Sequence, residues 1–189
     1  MNKLIDKFLN YWKAQISINA ELGGYVHDTA MSQYIPPTAM HPVTGTWTWT
    51  AGAVTDTISA HHAAANETTV LNIPIIIPSN SVAGKGSYLK SIEVDYQITA
   101  GEPTSLTPVV NLVSRGVEGA VATVAAQAFT QSPTLAASKT VEKHKLVITI
   151  TTPFWIDNDQ FVLLELTLVS ANGAVWDILA AVANFTLRA

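Results

Sequence analysis

Residues 141–187, VEKHKLVITITTPFWIDNDQFVLLELTLVSANGAVWDILAAVANFTL, decide the fold class. Leu146, Ile148 and Ile150 alternate with Val147, Thr149 and Thr151, which places the two sets on opposite faces of an extended strand. Thr152-Pro153 ends that run, and Asp157-Asn158-Asp159 offers short side chains that bond their own backbone in turns. The apolar run from Phe161 to Leu168 returns, and Asn172-Gly173 is a strong hairpin signal. The expectation is three consecutive strands of one antiparallel sheet, residues 141–152, 160–170 and 175–187, joined as a meander.

Upstream, Thr46-Trp47-Thr48-Trp49-Thr50 alternates strictly, so both indoles share one face, and residues 54–59 alternate again. Residues 68–77 form a longer apolar run broken by Pro74, which predicts an edge strand or a bend there. Gly84-Lys85-Gly86 turns the chain into residues 88–100, a strand with one wet face carrying Glu93, Asp95 and Gln97. Residues 106–114 read as another strand, residues 117–128 as a strand or a short helix, and residues 132–138 as a loop. About eight or nine short strands separated by turn signals predict an all-β antiparallel sandwich or jelly roll over residues 46–189.

The first 45 residues differ. Leu4, Ile5, Phe8, Leu9 and Trp12 fall on one helical stripe while Lys3, Asp6, Lys7, Asn10 and Lys13 face elsewhere, so residues 1–19 read as an amphipathic helical arm. A helix this short is marginal alone and needs a surface to lie on. That surface is its own domain or a sister subunit, a different protein, or a membrane surface. Residues 20–45, with Gly23-Gly24, Pro36-Pro37 and His41-Pro42, read as an extended linker.

Of 189 residues, 13% are charged and 48% hydrophobic, which leaves a surface of Thr, Ser, Ala and Asn suited to burial against copies of itself. No apolar stretch approaches the roughly 20 residues needed to cross a bilayer as a helix. A net charge of −4 and only 10 Lys and Arg give no basic stripe for nucleic acid. The absence of Cys excludes disulfides and thiolate metal sites. Asp6 and Lys7 interrupt the apolar core a signal peptide would need, so synthesis in the cytoplasm without classical secretion is expected.

The run from Tyr88 to Ala189, with KSIEVDYQIT, the TTPFWIDND turn and the terminal ANFTLR strand, resembles small β-proteins encoded by tailed phages and metagenomic viral genomes. That resemblance implies a non-enzymatic virion structural protein: a capsid decoration, head-fibre or tail-associated subunit. It further implies a symmetric homo-oligomer; the resemblance does not reach the first 45 residues, and from the pattern itself the expectation is a trimer whose arm, with Leu4, Ile5, Phe8, Leu9 and Trp12, docks to other virion proteins or to neighbouring subunits.

Few groups suggest chemistry. His61-His62 could bind a metal only if a loop turned them together, since neighbours on a strand point apart; a loop pair bonded to backbone is the plainer reading. Asp157, Asn158 and Asp159 offer oxygens for Ca²⁺, but a turn explains them as well, and one local cluster falls short of six to eight ligands. Glu93 and Asp95 share a face, as a carboxylate pair for glycoside hydrolysis or as ordinary wet-face residues. No G-x-S-x-G or H-E-x-x-H occurs, so neither catalysis nor a cofactor or metal is expected. Trp47 and Trp49, with Tyr88 and Tyr96 elsewhere, support the alternative function, a carbohydrate-binding module with a flat aromatic platform for sugar stacking; packing in a core or interface competes for the two indoles.

Overall fold

The computed structural model describes residues 28–51, 58–63, 65–79, 86–116, 120–134, 137, 139–170 and 173–188. The helical-arm residues Leu4, Ile5, Phe8, Leu9 and Trp12 lie outside them. Among the described residues twelve strands occur in chain order: β1 (Asp28–Ile35), β2 (His41–Thr44), β3 (Trp47–Ala51), β4 (Ile58–His62), β5 (Thr68–Ile75) and β6 (Gly86–Ala100), then β7 (Ser105–Ser114), β8 (Thr123–Gln127), β9 (Phe129–Ser132), β10 (Lys143–Trp155), β11 (Gln160–Val169) and β12 (Val175–Arg188). They form an antiparallel sandwich of a seven-stranded sheet, ordered β3-β4-β12-β6-β10-β9 with β1 also on β12, and a five-stranded sheet ordered β2-β5-β11-β7-β8.

The all-β class stands, but the meander does not. β10 and β12 both flank β6 in the larger sheet, whereas β11 lies between β5 and β7 in the smaller one. Period-2 alternation states which face of a strand is buried and is silent on which strand lies beside it. The turns after Trp155 and Val169 therefore cross between the sheets instead of closing hairpins.

Strand ends also move for physical reasons. β10 runs on through Pro153, because its register with β6 breaks between Thr149 and Phe154 and no ladder donor is needed there. Pro74 sits in β5 beyond the reach of β2, which pairs only as far as Asn72, so the missing N–H faces an open edge. Within the segment read as a linker, β1 pairs along its whole length with β12 and β2 pairs with β5. β1 is exposed over residues 29–34, where polar and apolar side chains do not alternate, which hides the period that marks a strand. The ambiguous 117–128 region contains strand β8. Gly45, at φ 86°, makes the turn from β2 to β3, and a Cβ there would run into Thr69 Cγ2.

The core lies between the sheets. Leu71, Ile73, Leu164, Leu166 and Leu168 of the smaller sheet meet Leu89, Ile92, Val94, Leu146, Ile148 and Trp176 of the larger, all buried to within 1%. Each contributes about 1.5–3 kcal/mol by leaving water. This alternation fixes what each strand turns outward.

Candidate functional site

The site is built on the outer face of the seven-stranded sheet. β6 alternates around its buried Ile92, Val94 and Tyr96, so Ser91, Glu93 and Asp95 face out. Lys90 is an extra residue in β6: on β12 the register steps from Asn184↔Ser91 to Phe185↔Leu89. Such a bulge re-aims the side chains beyond it. Tyr88 then sits opposite Trp155 of β10 and Thr186 of β12.

A row of polar groups crosses four strands. Ser32 of β1 donates to Asn184 Oδ1 at 2.7 Å. Asn184 Nδ2 donates to Glu93 Oε1 at 2.9 Å and to Ser91 Oγ at 3.3 Å. Lys145 Nζ donates to Glu93 Oε2 at 2.9 Å and stands 3.9 Å from Asp95 Oδ1. The lysine ammonium, followed by the Asn184 amide, holds the Glu93 carboxyl below the usual carboxylate range, and the same carboxylate with Asp95 raises Lys145. Both groups therefore stay charged at neutral pH and stiffen the row.

Aromatic rings border this row. Tyr88 and Trp155 stand with centroids 4.8 Å apart and planes 42° from parallel. Tyr34, opposite Val182, is 56% exposed on the other side of the row. Rows two residues apart lie about 7 Å from each other along a strand, a spacing on the scale of one sugar residue. At the β4 edge of the face, Ser59 Oγ donates to Asp177 Oδ1 at 3.1 Å and His61 Nδ1 meets the same oxygen at 2.9 Å. Serine and histidine share one carboxylate oxygen there.

The other sequence candidates separate. His61 and His62 lie in strand β4, not a loop, and point to opposite faces: His62 turns inward, its Nε2 2.8 Å from Glu67 Oε1. That contact, with the Thr46 N–H, lowers the Glu67 carboxyl. Among the described residues no three His, Asp or Glu side chains gather around one point. Asp157 and Asp159 close a turn, with Asp157 accepting from the Gln160 N–H and Asp159 accepting from the Arg115 N–H through their carbonyls.

The indole pair does not form the expected stacking surface. Trp47 is buried in the core, its ring 5.4 Å from His62. Trp49 is 39% exposed and donates to the Pro37 carbonyl at 2.8 Å. Both sit on the inward side of the edge strand β3, because Trp49 pairs with the buried Ala60. Sequence reading missed Trp155, which lay beyond an expected strand end, and missed Ser32 and Tyr34 inside the expected linker. The one available signal was Tyr88 at the start of a strand with a wet face.

Comparison with known proteins gives no matching family profile and no matching curated protein. Solved structures similar to this chain include the CBM22-1–GH10 modules of Clostridium thermocellum endo-1,4-beta-D-xylanase 10B complexed with xylohexaose, at 7% identity over 82% of this chain and 27% of that one, TM-score 0.41. Another is a family 29 carbohydrate-binding module from Piromyces equi, at 10% identity over 82% of this chain and 91% of that one, TM-score 0.37. A third is a family 11 carbohydrate-binding module from Clostridium thermocellum in complex with a beta-1,3-1,4-mixed-linked tetrasaccharide, at 6% identity over 84% and 87%, TM-score 0.32. The expected virion structural role is corrected by these findings, which lie among carbohydrate-binding modules and glycoside hydrolases.

Proposed function

We propose that the protein is a non-catalytic carbohydrate-binding module, of jelly-roll strand order, that holds a neutral oligosaccharide across the outer face of its seven-stranded sheet. The observation that carries this reading is the Tyr88–Trp155 ring pair at the border of the hydrogen-bonded row Ser32–Asn184–Glu93–Lys145. A sugar ring has an apolar C–H face and a rim of hydroxyls. The rings supply large, stiff apolar area to the first, and the fixed amide, carboxylate and ammonium supply directional partners to the second. Because the row is already internally bonded, it loses little side-chain freedom when a ligand arrives.

The charges narrow the ligand. Glu93, Asp95 and Asp177 all lie on this face, and the one ammonium within the row is held by Glu93. A polyanionic glycan would meet three carboxylates against the ammonium groups of Lys145 and Lys143, so the ligand class is neutral.

The test is calorimetric titration with neutral and uronic-acid-containing oligosaccharides. Neutral chains bind, acidic ones do not, and Trp155→Ala weakens binding at least tenfold while the far-ultraviolet spectrum stays unchanged. Wild-type affinity in both Tyr88→Ala and Trp155→Ala would end this reading.

A further inference from the structure

At the β1 margin of the polar face the surface drops into a cavity of about 240 Å³, lined by Tyr34 and Pro36 from the larger sheet's side and by Pro74 and Ile76 from the end of β5. Among the described residues β1 pairs with β12 alone, so this is the open edge of the sheet. Tyr34 stands two residues from Ser32 on β1 and so shares its face, and it lines the cavity as well. The polar row and the cavity are therefore continuous through one phenol ring. Tyr34 is 56% exposed and Ile76 72%. One exposed apolar side chain needs no account, but two large ones lining the same hollow mark a place where a ligand is covered. The polar side chain beside them is Gln33, whose Nε2 donates to the Tyr34 carbonyl at 3.1 Å and whose Oε1 has no partner among the described residues.

We propose that this cavity is a subsite for one 6-deoxyhexose residue at the end of the oligosaccharide, an inference that rests on the carbohydrate-binding reading of the adjoining face. Size, polarity and position select that occupant. At about 240 Å³ the space falls short of the roughly 300–1,000 Å³ of a site for a drug-sized ligand, so it admits one ring and not a chain. The side chains of Ile35, Pro36, Ala39, Pro74 and Ile76 offer no partner to a hydroxymethyl group, whose hydroxyl would be shut from water unpaired, whereas a methyl in its place gains apolar contact. None of the lining side chains is a carboxylate, ammonium, guanidinium or imidazole, so an ionic group finds no counter-charge. A pure hydrocarbon would cover Gln33 Oε1 and leave it unpaired, while a ring hydroxyl can donate to it. Because β1 is the margin of the sheet, a chain crossing the row from Tyr88 and Trp155 reaches Tyr34 and the cavity last.

The test titrates the full chain with L-fucose and L-rhamnose, two 6-deoxyhexoses, and with L-galactose and L-mannose, which differ from them only by the hydroxymethyl oxygen, following backbone amide chemical shifts. At least one methyl sugar should bind about tenfold or more tightly than its counterpart, the discrimination that one such group supplies in an apolar pocket, with shifts at Gln33, Tyr34 and Ile76. Ile76→Asp and Gln33→Ala, both at exposed positions, should each remove that preference with the far-ultraviolet spectrum unchanged. Neutral oligosaccharides ended by ordinary hexoses should keep their wild-type affinity in Ile76→Asp. Equal affinities for the paired sugars, no binding of either methyl sugar, or a preference that survives both substitutions would overturn the proposal. Oligosaccharide binding that depends on Trp155 without any methyl preference would overturn the subsite alone; if no sugar of either kind binds, the carbohydrate-binding reading falls with it.

Discussion

The two outer faces of this sandwich share one core and one strand geometry, yet one carries a bonded row of Ser32, Asn184, Glu93 and Lys145 and the other sets Glu165 among Val109, Leu163, Asn72 and Asn111 without an ion pair. Because strands alternate, each face was free to be chosen without disturbing the core, and the chain placed its scarce charges on one side. The lesson is that a low overall charge says little until it is mapped onto faces. One face holds its directional partners in a charged, bonded row; the other mixes valine and leucine area with separate amides and hydroxyls.

The largest effects expected come from neighbours on β11. Leu164 points into the core and Leu163 away from it. Leu164→Ala should cost about 2–5 kcal/mol in urea unfolding, by lost transfer energy plus a cavity. Leu163→Ala, at a half-buried position, should cost about 1 kcal/mol, and Thr149→Ala, at an exposed one, should stay within about 0.5 kcal/mol. Equal costs for Leu163→Ala and Thr149→Ala would erase the difference between the faces. In binding, Trp155→Ala should cost about 1.4 kcal/mol or more, a tenfold loss, while Leu163→Ala leaves sugar affinity unchanged. An effect of Leu163→Ala on that affinity would place the ligand on the wrong side.

The sandwich was legible from its alternation: Leu146, Ile148 and Ile150, and Leu164, Leu166 and Leu168, are buried as their spacing requires. What spacing could not carry was partnership between strands, so the C-terminal strands were read as one sheet when they belong to two. The site was less legible. Ser32 and Tyr34 lie on an exposed edge strand whose sequence has no period, and Trp155 follows a proline that a register break tolerates. Trp47 and Trp49 do share a face, as alternation demands, but alternation cannot say that it faces inward; that follows from pairing with β4, whose Ala60 and His62 are buried.

A single substitution separates the faces by sign. Glu93→Leu removes the acceptor for Lys145 and Asn184, and should destabilise the protein by about 1 kcal/mol, the net worth of a typical hydrogen bond. Glu165→Leu removes a carboxylate that stands between Asn72 and Val109 without an ion pair, and should be neutral or stabilising by a few tenths of a kcal/mol. Denaturation midpoints in urea compare the two directly. A shared sign would mean that both acids do the same work and that the faces are not distinct.

The smallest effect expected is the pH dependence of the polar row, and its direction follows from the shifts. Glu93 is lowered, mainly by the hydrogen bond from Lys145, so its stabilising contribution is whole above the ordinary carboxylate value and is lost as pH falls through the lower value in the fold. Lys145 is raised, mainly by Glu93, so its contribution is whole below the ordinary lysine value and is lost as pH rises through the higher value in the fold. Between those limits the row is flat, and binding that depends on it should be flat as well. Glu93→Gln should therefore lower the thermal midpoint slightly at neutral pH and flatten its decline below about pH 4.5. Because Lys145 is largely exposed, solvent screening keeps that difference small, and it should shrink further in molar salt. A decline under acid that is identical in wild type and Glu93→Gln would show that Lys145 and Glu93 are neighbours without coupling, and the polar face would then owe its order to Asn184 alone.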